Sequence, residues 1–558
     1  MLVLGISNND VSGACLVNAD TIISAVSEER LTRIKNHKTW PSRSISYVLN
    51  EARVSLDDID FVAYGWSAGF NPEKHLNLYV ERIFKESHPA SVDIIKTRMI
   101  NEVNNNKEKS HEFKEFVAKN NLQSKAVYID HHECHALGAF ICSPFEEALT
   151  VTCDGRGDFQ SLTVSRYSES GVDVLQRETT IDSLGFFYGR ITHLLGFKAN
   201  RHEGKVTGLA SHGNKYKLLP LMTKMISLGD DGRVMSSCGD LYNPSYSGYS
   251  DALTELLKDE NPEDIAAAAQ YHIENIVCGI VSKHIKNGEN VCLAGGVFGN
   301  VKLNQRIREI QGVKNVYVLP CMGDEGLPLA AAVAVSFQKN GYRFKNPSMK
   351  LGPEVPESTR CMDILREQYP QLSFDIPENP IDLVGELFRK GKVVGLVKGK
   401  MEFGPRALCN RSIIYPASDK GVNEWLNKRM SRTEFMPFAP ITAFELAADC
   451  YIGWKKEHYS SEFMTMTYEC HDFLSYTCPA VVHVDNTSRP QIVKKEDDPF
   501  VHELLVNWHS KTNQPALINT SFNKHEEPIV ESIDDAISAL QENIVDVIIF
   551  NDELFVWR

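Results

Sequence analysis

At 558 residues, 42% hydrophobic and 24% charged, the chain is too long for one ordinary core and calls for two or three globular domains, neither collagenous, low-complexity nor disordered in bulk. Its formal net charge of −14 argues against a nonspecific nucleic-acid binder, which needs surplus Lys and Arg, but leaves room for a local basic pocket that takes a small phosphate compound. No apolar run is long enough to span a bilayer, the opening MLVLGIS lacks a signal peptide's basic start, and the 13 scattered cysteines form no CxxC pair, which together read as a cytoplasmic protein with buried free thiols.

In chain order, residues 1 to 30 carry three short strand patterns, LVLGIS, GACLVN and TIISAVSEE. A polar loop (Asn8, Asn9, Asp10) joins the first two, and a tight turn (Asn18 to Asp20) joins the last two. Residues 70 to 125 (VERIFKESH, EFKEFVAKN) have a charged, helical pattern and read as an inserted helical lobe with no legible function. Residues 148 to 179 then repeat the opening plan: strand, polar Asp/Gly loop, strand, turn, strand. A duplication of this kind marks the actin-like ATPase architecture, whose two related halves face each other across a nucleotide cleft, although meanders alone are a weak signal.

Further on, NVCLAGGVFGNVKLNQRI reads as a buried strand, a Gly pair and a helix start, so that Gly295 and Gly296 let backbone approach a ligand closely. VYVLPCMGDEGLPLAAAVAVS repeats the theme, with a Gly-Asp-Glu-Gly turn before an Ala-rich helix. Structural turns explain either motif alone; both in that order favour a nucleotide site. Around 340 to 357 polar residues, Gly and Pro interrupt all periodicity, which sets domains at 1–345 and 346–558. Strand patterns such as VVGLVKG and AVVHVD make the second domain α/β as well.

The densest chemistry is DHHECHA at 130 to 136. On a helix His131 and His135 share a face while His132 points elsewhere, a geometry used by metal-binding helices and also by structural hydrogen bonding. Asp154 in TCDGRGD and Asp324 in GDEG would complete a His₂Asp₂ set suited to Fe(II), Mn(II) or Zn(II); each has the plain alternative of a turn former or helix cap. A zincin is disfavoured, because His132 stands where the glutamate of HExxH belongs. The second domain concentrates cations and hydroxyls: Lys398, Lys400, Arg406, Arg411 and Ser412 in one stretch, Arg489 and Gln491 in another, Thr520, Ser521 and Asn523 in a third. Together they form a reasonable phosphate cradle, the alternative being surface ion pairs.

With these motifs in hand the chain resembles the O-carbamoyltransferases of the nodulation and antibiotic-biosynthesis type. The resemblance runs nearly its whole length, through SEERLTRIKNHKTWP, DHHECHALGAF, LTVTCDGRGD, SLGFFYGRITHLLGFKANRHEGKVTGLA, LAGGVFGNVKLN, GDEGLPLAAA, GKMEFGPRALCNRSI, RTEFMPFAP, HVDNTSRPQIV and LINTSFNKHEEPIV. The resemblance implies an actin-like N-terminal domain and a YrdC-like C-terminal domain. The latter would make carbamoyl-adenylate from ATP and carbamoyl phosphate; the former, beside an iron centre, would pass the carbamoyl group to a hydroxyl of a small-molecule acceptor. By position it implies His131, His135, Asp154 and Asp324 as metal ligands. Arg406, Arg411, Arg489, Ser521 and Met464 would line the adenylate-forming site, with Asn523 in the same motif as Ser521, and Lys35 would stand near the transfer site. Glu203, Gly204 and Gly208 would form a loop by the nucleotide, with Gly295, Gly296 and Asn300.

Two departures stand out. Family members carry a His-Asp pair in the first loop, the His being a candidate base; here Asp10 is the nearest substitute, which would work if burial or a neighbouring charge raised its pKa. The lysine expected before the RPFAP-like motif is displaced, leaving Lys428 or Arg432. The rival readings are a tRNA threonylcarbamoyl-adenosine synthase, disfavoured by the acidic charge, and a degenerate nucleotide-binding regulator, disfavoured by the intact cationic motifs. Neither a nucleic acid nor a membrane is expected as partner, the acceptor's identity is open, and a homodimer is compatible with the sequence.

Overall fold

The computed structural model describes the whole chain apart from residues 9, 87, 240, 244–249 and 433–435. Asn9 of the first loop and Thr433 to Phe435 of the RTEFMPFAP motif therefore lie outside the described residues. Two compact units are formed by Met1–Ser24 with Lys38–Pro347, and by Ala25–His37 with Ser348–Arg558. The division at 347 falls two residues from the one read off the sequence. The inclusion of Ala25–His37 in the second unit does not follow from chain order.

The first unit contains two five-stranded sheets of one design. In the first, β1 (Leu2–Ser7) is antiparallel to β2 (Gly13–Asn18), which neighbours β3 (Thr21–Ser27), and parallel to β4 (Phe61–Tyr64), itself parallel to β5 (Ala126–Tyr128). The order is β3-β2-β1-β4-β5. In the second sheet, β6 (Ala148–Gly157), β7 (Gln160–Ser168) and β8 (Gly171–Thr179) form the antiparallel meander. After a small hairpin of β9 (Ile226–Leu228) and β10 (Val234–Ser236), β11 (Glu289–Ala294) runs parallel to β6, and β12 (Val313–Val318) parallel to β11. Its order, β12-β11-β6-β7-β8, is the first sheet's order read from the other edge. The duplicated actin-like α/β plan expected from the two meanders is present in full. The central strands of both sheets are nearly continuous buried runs such as VLGIS and ALTVTC, as strands covered on both faces require, while the edge strands β5 and β8 are partly exposed.

Two details depart from the sequence reading. DGRG is not a loop: β6 continues through it to Gly157, with a register shift between Cys153 and Gly157. The hairpin turns instead at Asp158 and Phe159, whose φ values of 46° and 68° are the positive φ that a two-residue type I′ turn requires at both positions. The predicted third strand also stops at Ser27, and Glu28–Thr32 is a short helix. The inserted lobe is two helices, Glu73–Lys85 and Pro89–Lys119, between the parallel neighbours β4 and β5.

In the second unit the strands are β13 (Lys350–Glu354), β14 (Ser373–Asp375), β15 (Val394–Val397), β16 (Lys400–Glu402), β17 (Arg411–Pro416), β18 (Ala439–Ala443), β19 (Tyr468–Glu469), β20 (Thr487–Ser488), β21 (Gln491–Val493), β22 (Ala516–Ser521), β23 (Val547–Phe550) and β24 (Leu554–Trp557). Eight of them make a mixed sheet in the order β14-β24-β23-β15-β17-β22-β18-β21. Its apolar face (Leu396, Ile414, Ile441, Leu517, Ile549) packs under Phe388 and Trp508 from two amphipathic helices. The expected strand AVVHVD does not form. Pro479 opens a 3-10 turn over Pro479–Val481, Asn486 takes a φ of 58°, and Asp485 accepts the Thr487 N–H at 3.2 Å, so side-chain capping wins over strand pairing.

Candidate metal centre

Asp130 caps the helix His131–Cys142 by accepting the Glu133 N–H at 3.1 Å, which sets the phase of its first turn. His131 and His135 then share one face, and both imidazoles are wholly buried. Asp154 comes from β6 and Asp324 from the 3-10 turn Asp324–Gly326. His135 Nε2 lies 3.5 Å from both Asp154 Oδ2 and Asp324 Oδ1, and His131 Nε2 lies 3.9 and 3.6 Å from the same oxygens. These separations are long for hydrogen bonds. They approach the spacing of neighbouring donors around one cation with bonds of about 2.1 Å, roughly 3.0 to 3.4 Å. Among the described residues neither His131 Nε2, His135 Nε2 nor Asp324 Oδ1 has a hydrogen-bond partner. Buried polar atoms left unpartnered and converging on one point are the observation that fits a bound divalent cation.

The electrostatics are those of the cluster without a cation: burial alone would lower His135, but Asp154 and Asp324 outweigh it and raise that imidazole to about 9, so it keeps a proton that a bound metal would displace. Burial drives the His131 imidazole well below its usual range, toward the neutral form that ligates. Burial, reinforced by the Asp154 charge, lifts Asp324 to about 6. Burial would also raise Asp154, but the two histidines outweigh it and hold that carboxyl well down. Without a metal the cluster must share protons to balance two buried carboxylates, and a divalent cation supplies the balance directly. An N₂O₂ donor set suits Fe(II), Mn(II) or Zn(II).

The surroundings are built to hold these ligands. Asp158 accepts the backbone N–H groups of His131 (2.9 Å), Ser67 and Ala68 (2.8 Å each), which pins the helix start to the β6–β7 turn. A side chain at 157 would overlap the His131 ring, so Gly157 is required. Gly295, at a φ of 99°, turns the chain so that the Gly296 N–H reaches Asp154 Oδ2 at 3.1 Å. His132 is structural: its Nδ1 lies 2.7 Å from Thr152 Oγ1, and burial takes its pKa down to about 4.

Around this centre the other expected residues take varied places. EGKVTGLA is a helix, Glu203–Ala210, where a loop was expected; Gly204 and Gly208 lie within it, and Glu203 accepts the Asn200 N–H at 2.6 Å. Asn300 caps the helix Val301–Arg308 through the Leu303 N–H and donates to Gln270 Oε1 at 2.8 Å. Asp10 is exposed and paired with Lys38 Nζ at 3.1 Å. Partial desolvation by its neighbours would raise its carboxyl, but the Lys109 and Lys38 ammonium groups outweigh that and hold it below the usual range. In this arrangement Asp10 is an ion-pair partner of Lys38, with its carboxyl tuned opposite to what a proton acceptor needs. Lys35 belongs to the second unit, where it meets Glu29 at 3.1 Å.

Within the second unit Arg432 is the organising cation. It donates to Thr520 Oγ1 (2.7 Å), Ser521 Oγ (2.9 Å) and Asn523 Oδ1 (2.9 Å). Of the two residues open at this position the structure brings Arg432 to the hydroxyl cluster, while Lys428 is exposed on the last turn of the helix Val422–Arg429. Arg411 does not line a cradle. It is wholly buried and donates to the carbonyls of Lys398 (2.8 Å), Asn410 (2.9 Å) and Pro353 (3.1 Å), which commits its guanidinium to the fold. Arg406 and Arg489 are half-buried on the loops after β16 and β20, and Met464 is buried with a φ of 55°.

Sequence reasoning missed Arg156, Lys109 and Trp66. Arg156 stands two residues from Asp154 on β6, and the Trp66 ring packs on His131 with centroids 4.3 Å apart. The period-2 spacing from Asp154 signals the first; the other two come from the inserted lobe and its approach, where no motif points.

Fold and site together define a two-unit α/β protein whose duplicated unit encloses a His₂Asp₂ centre. Residues 2–333 match the Carbamoyltransferase N-terminus family and residues 385–556 the Carbamoyltransferase C-terminus family. The chain belongs to the carbamoyltransferase family and is an enzyme of that class. It is 32% identical over 99% of both chains to an uncharacterised protein of Methanocaldococcus jannaschii, and 29% identical to the nodulation protein NolNO of Sinorhizobium fredii over 98% of this chain and 78% of that one. Nodulation protein U of Azorhizobium caulinodans is 23% identical over 92% and 91%. Among solved structures, the activator of the 2-hydroxyisocaproyl-CoA dehydratase from Clostridium difficile with bound ADPNP is 12% identical over 61% of this chain and 95% of that one, with a TM-score of 0.35.

Proposed function

We propose that the protein is an ATP-dependent O-carbamoyltransferase acting through carbamoyl-adenylate on a hydroxyl-bearing small molecule, with a YrdC-like second unit. The observation that carries this is the pairing of two chemistries in one carbamoyltransferase chain. The first unit holds a buried His₂Asp₂ centre; the second holds a cationic and hydroxyl cluster of Arg432, Thr520, Ser521 and Asn523. In the second unit, carbamoyl phosphate, ATP and one water give carbamoyl-adenylate, pyrophosphate and inorganic phosphate. Arg432, a planar fork held by Thr520, Ser521 and Asn523, is suited to orient phosphate oxygens. In the first unit, a bond forms between the acceptor oxygen and the carbamoyl carbon, the carbon–oxygen bond to phosphate breaks, AMP leaves, and the hydroxyl proton passes to the released AMP phosphate or to solvent water.

His131, His135, Asp154 and Asp324 would hold Fe(II), Mn(II) or Zn(II), which when bound supplies Lewis-acid polarisation for the developing oxyanion. The chain's own residues do the rest. Gly296 N–H and the Asp158 hydrogen bonds fix the donor set, and both imidazoles are buried while the two carboxylates face the open side where substrate would enter. The test is a pair of half-reactions. Carbamoyl-phosphate-dependent ATP/pyrophosphate exchange should persist in His131→Ala, while carbamoyl transfer to an acceptor, followed by mass, should vanish. Transfer that survives His131→Ala refutes the assignment of this centre.

A further inference from the structure

The inserted helix Pro89–Lys119 buries a stripe along its length that is apolar toward its ends, at Ile95, Phe113 and Val117, and polar in the middle, at Arg98, Glu102 and Asn106. Polar groups in a buried stripe are costly unless they meet partners. Arg98 meets Glu102 at 2.9 Å, and Glu102 meets Arg156 at 3.6 Å, beside the ligand Asp154 on β6. Asn106 is 1% exposed, and neither its amide nitrogen nor its oxygen has a partner among the described residues. One turn further, Lys109 Nζ has no hydrogen bond or ion pair among the described residues and lies 4.5 Å over the Trp66 ring. Trp66 packs against His131, and its own buried Nε1 is also unpartnered among the described residues.

The local charge is positive. Lys38, Arg98, Lys109 and Arg156 stand against Asp10, Glu102 and Glu112. Asp10 is engaged by Lys38, and Glu112 accepts the Asn8 amide at 2.8 Å. Asp324 also lies in the field of Lys109 but belongs to the metal set. A half-buried ammonium, a buried amide and a buried indole N–H, none with a hydrogen-bond partner among the described residues, describe a polar wall beside the candidate centre that awaits a ligand.

We infer that the polar middle of the inserted helix is the acceptor-recognition wall, and that the acceptor is a hydroxyl compound bearing an anionic group, phosphate or carboxylate, received by Lys109 on the Trp66 face. This rests on the transferase reading above. The residues expected at the nucleotide (Glu203, Gly295, Gly296, Asn300) belong to the second-sheet half of the unit, whereas Lys109, Trp66 and Asp10 belong to the first-sheet half. That places the wall with the acceptor and apart from the adenylate. Burial lowers the Lys109 ammonium and Arg156 adds to the effect, which an incoming anion would relieve.

The test uses the full-length, metal-loaded protein with Lys109→Met and Lys109→Arg. In equilibrium dialysis of radiolabelled inorganic phosphate, sites elsewhere are common to all three proteins. One class of site is expected to weaken at least tenfold in Lys109→Met and to persist in Lys109→Arg; superimposable isotherms overturn the anion site. Carbamoyl transfer is then compared on glucose, glucosamine, glucose 6-phosphate and glucuronate. An anionic member should lead by tenfold or more in kcat/KM, the last two deciding between phosphate and carboxylate, and Lys109→Met should abolish that lead. Preference for a neutral or cationic member, no transfer to either anion, or a lead that survives Lys109→Met overturns the acceptor assignment. A raised KM for ATP in the exchange assay of Lys109→Met gives Lys109 to the nucleotide and also overturns it. Exchange absent from the native chain removes the transferase reading itself and leaves the phosphate isotherms to decide the anion site.

Discussion

Loading the His₂Asp₂ centre should stabilise the first unit by an amount that can be worked out. A cation that binds the folded state alone at a free concentration of one hundred times its Kd adds about 2.7 kcal/mol. The unit has roughly 330 residues, and at about 2.1 cal/mol/K per residue its unfolding entropy near the midpoint is about 0.7 kcal/mol/K. Saturating metal should therefore raise its transition by about 4 °C over chelated protein. The assay is differential scanning calorimetry of full-length protein with EDTA, then with Fe(II) under anaerobic conditions, Mn(II) or Zn(II). Asp324→Asn keeps the shape of the side chain but removes an anionic donor whose Oδ1 lies 3.5 Å from His135 Nε2. It should abolish most of the shift while the chelated variant melts within a few degrees of the native chain. A native chain with the same transition in EDTA and in every metal would refute the reading of the four residues as ligands. So would an Asp324→Asn variant with an undiminished shift.

Gly157→Ala should abolish the metal-dependent shift as well, since its Cβ would overlap the His131 ring; metal content by mass spectrometry checks this, and stoichiometric binding would contradict the packing argument. In the second unit Arg411→Met should lower stability by about 3 to 5 kcal/mol in urea titrations, because three carbonyls lose a buried charged donor. Arg432→Lys should leave that stability within about 1 kcal/mol yet cut ATP/pyrophosphate exchange tenfold or more, an ammonium being unable to reproduce the fork. Burial raises Glu178 to about 7, against Arg233. With its folded pKa above the unfolded value, the folded state binds more protons between about pH 4.5 and 7, so stability falls as pH rises through that window, by an amount on the order of 3 kcal/mol. Glu178→Gln should flatten this part of the first unit's pH–stability curve, and an unchanged slope would count against it.

Local physics made much of this molecule legible in advance. Alternating and continuous apolar runs with polar turns determined the two meanders, and a 3.6-residue period put His131 and His135 on one helix face. Asp154 and Asp324 were recognisable as candidate ligands, though Asp154 lies within β6 and not at its end, and the Gly pair at 295 and 296 as a close approach, which proves to be to Asp154. Other features had no local signature. The fate of Arg411 and Arg432 was not legible, because both look like phosphate binders in sequence; one is spent on backbone carbonyls, the other on a hydroxyl cluster. Asp10 looked like a base until Lys38 and Lys109, one of them from a helix a hundred residues away, lowered its carboxyl.

The sequence by itself determined which residues could ligate, cap and turn, since those properties depend on side-chain chemistry and on neighbours within a few positions. Only the tertiary structure decided which of them meet, and hence their protonation and their role. Charge, desolvation and hydrogen-bond partners arrive from distant segments, as when Asp324 is carried to His135 across nearly two hundred residues. The inserted helix shows the difference most directly. Its polar stripe at Arg98, Glu102 and Asn106 reads as a solvated face in one dimension, and it is buried because the fold lays it along the wall of the centre.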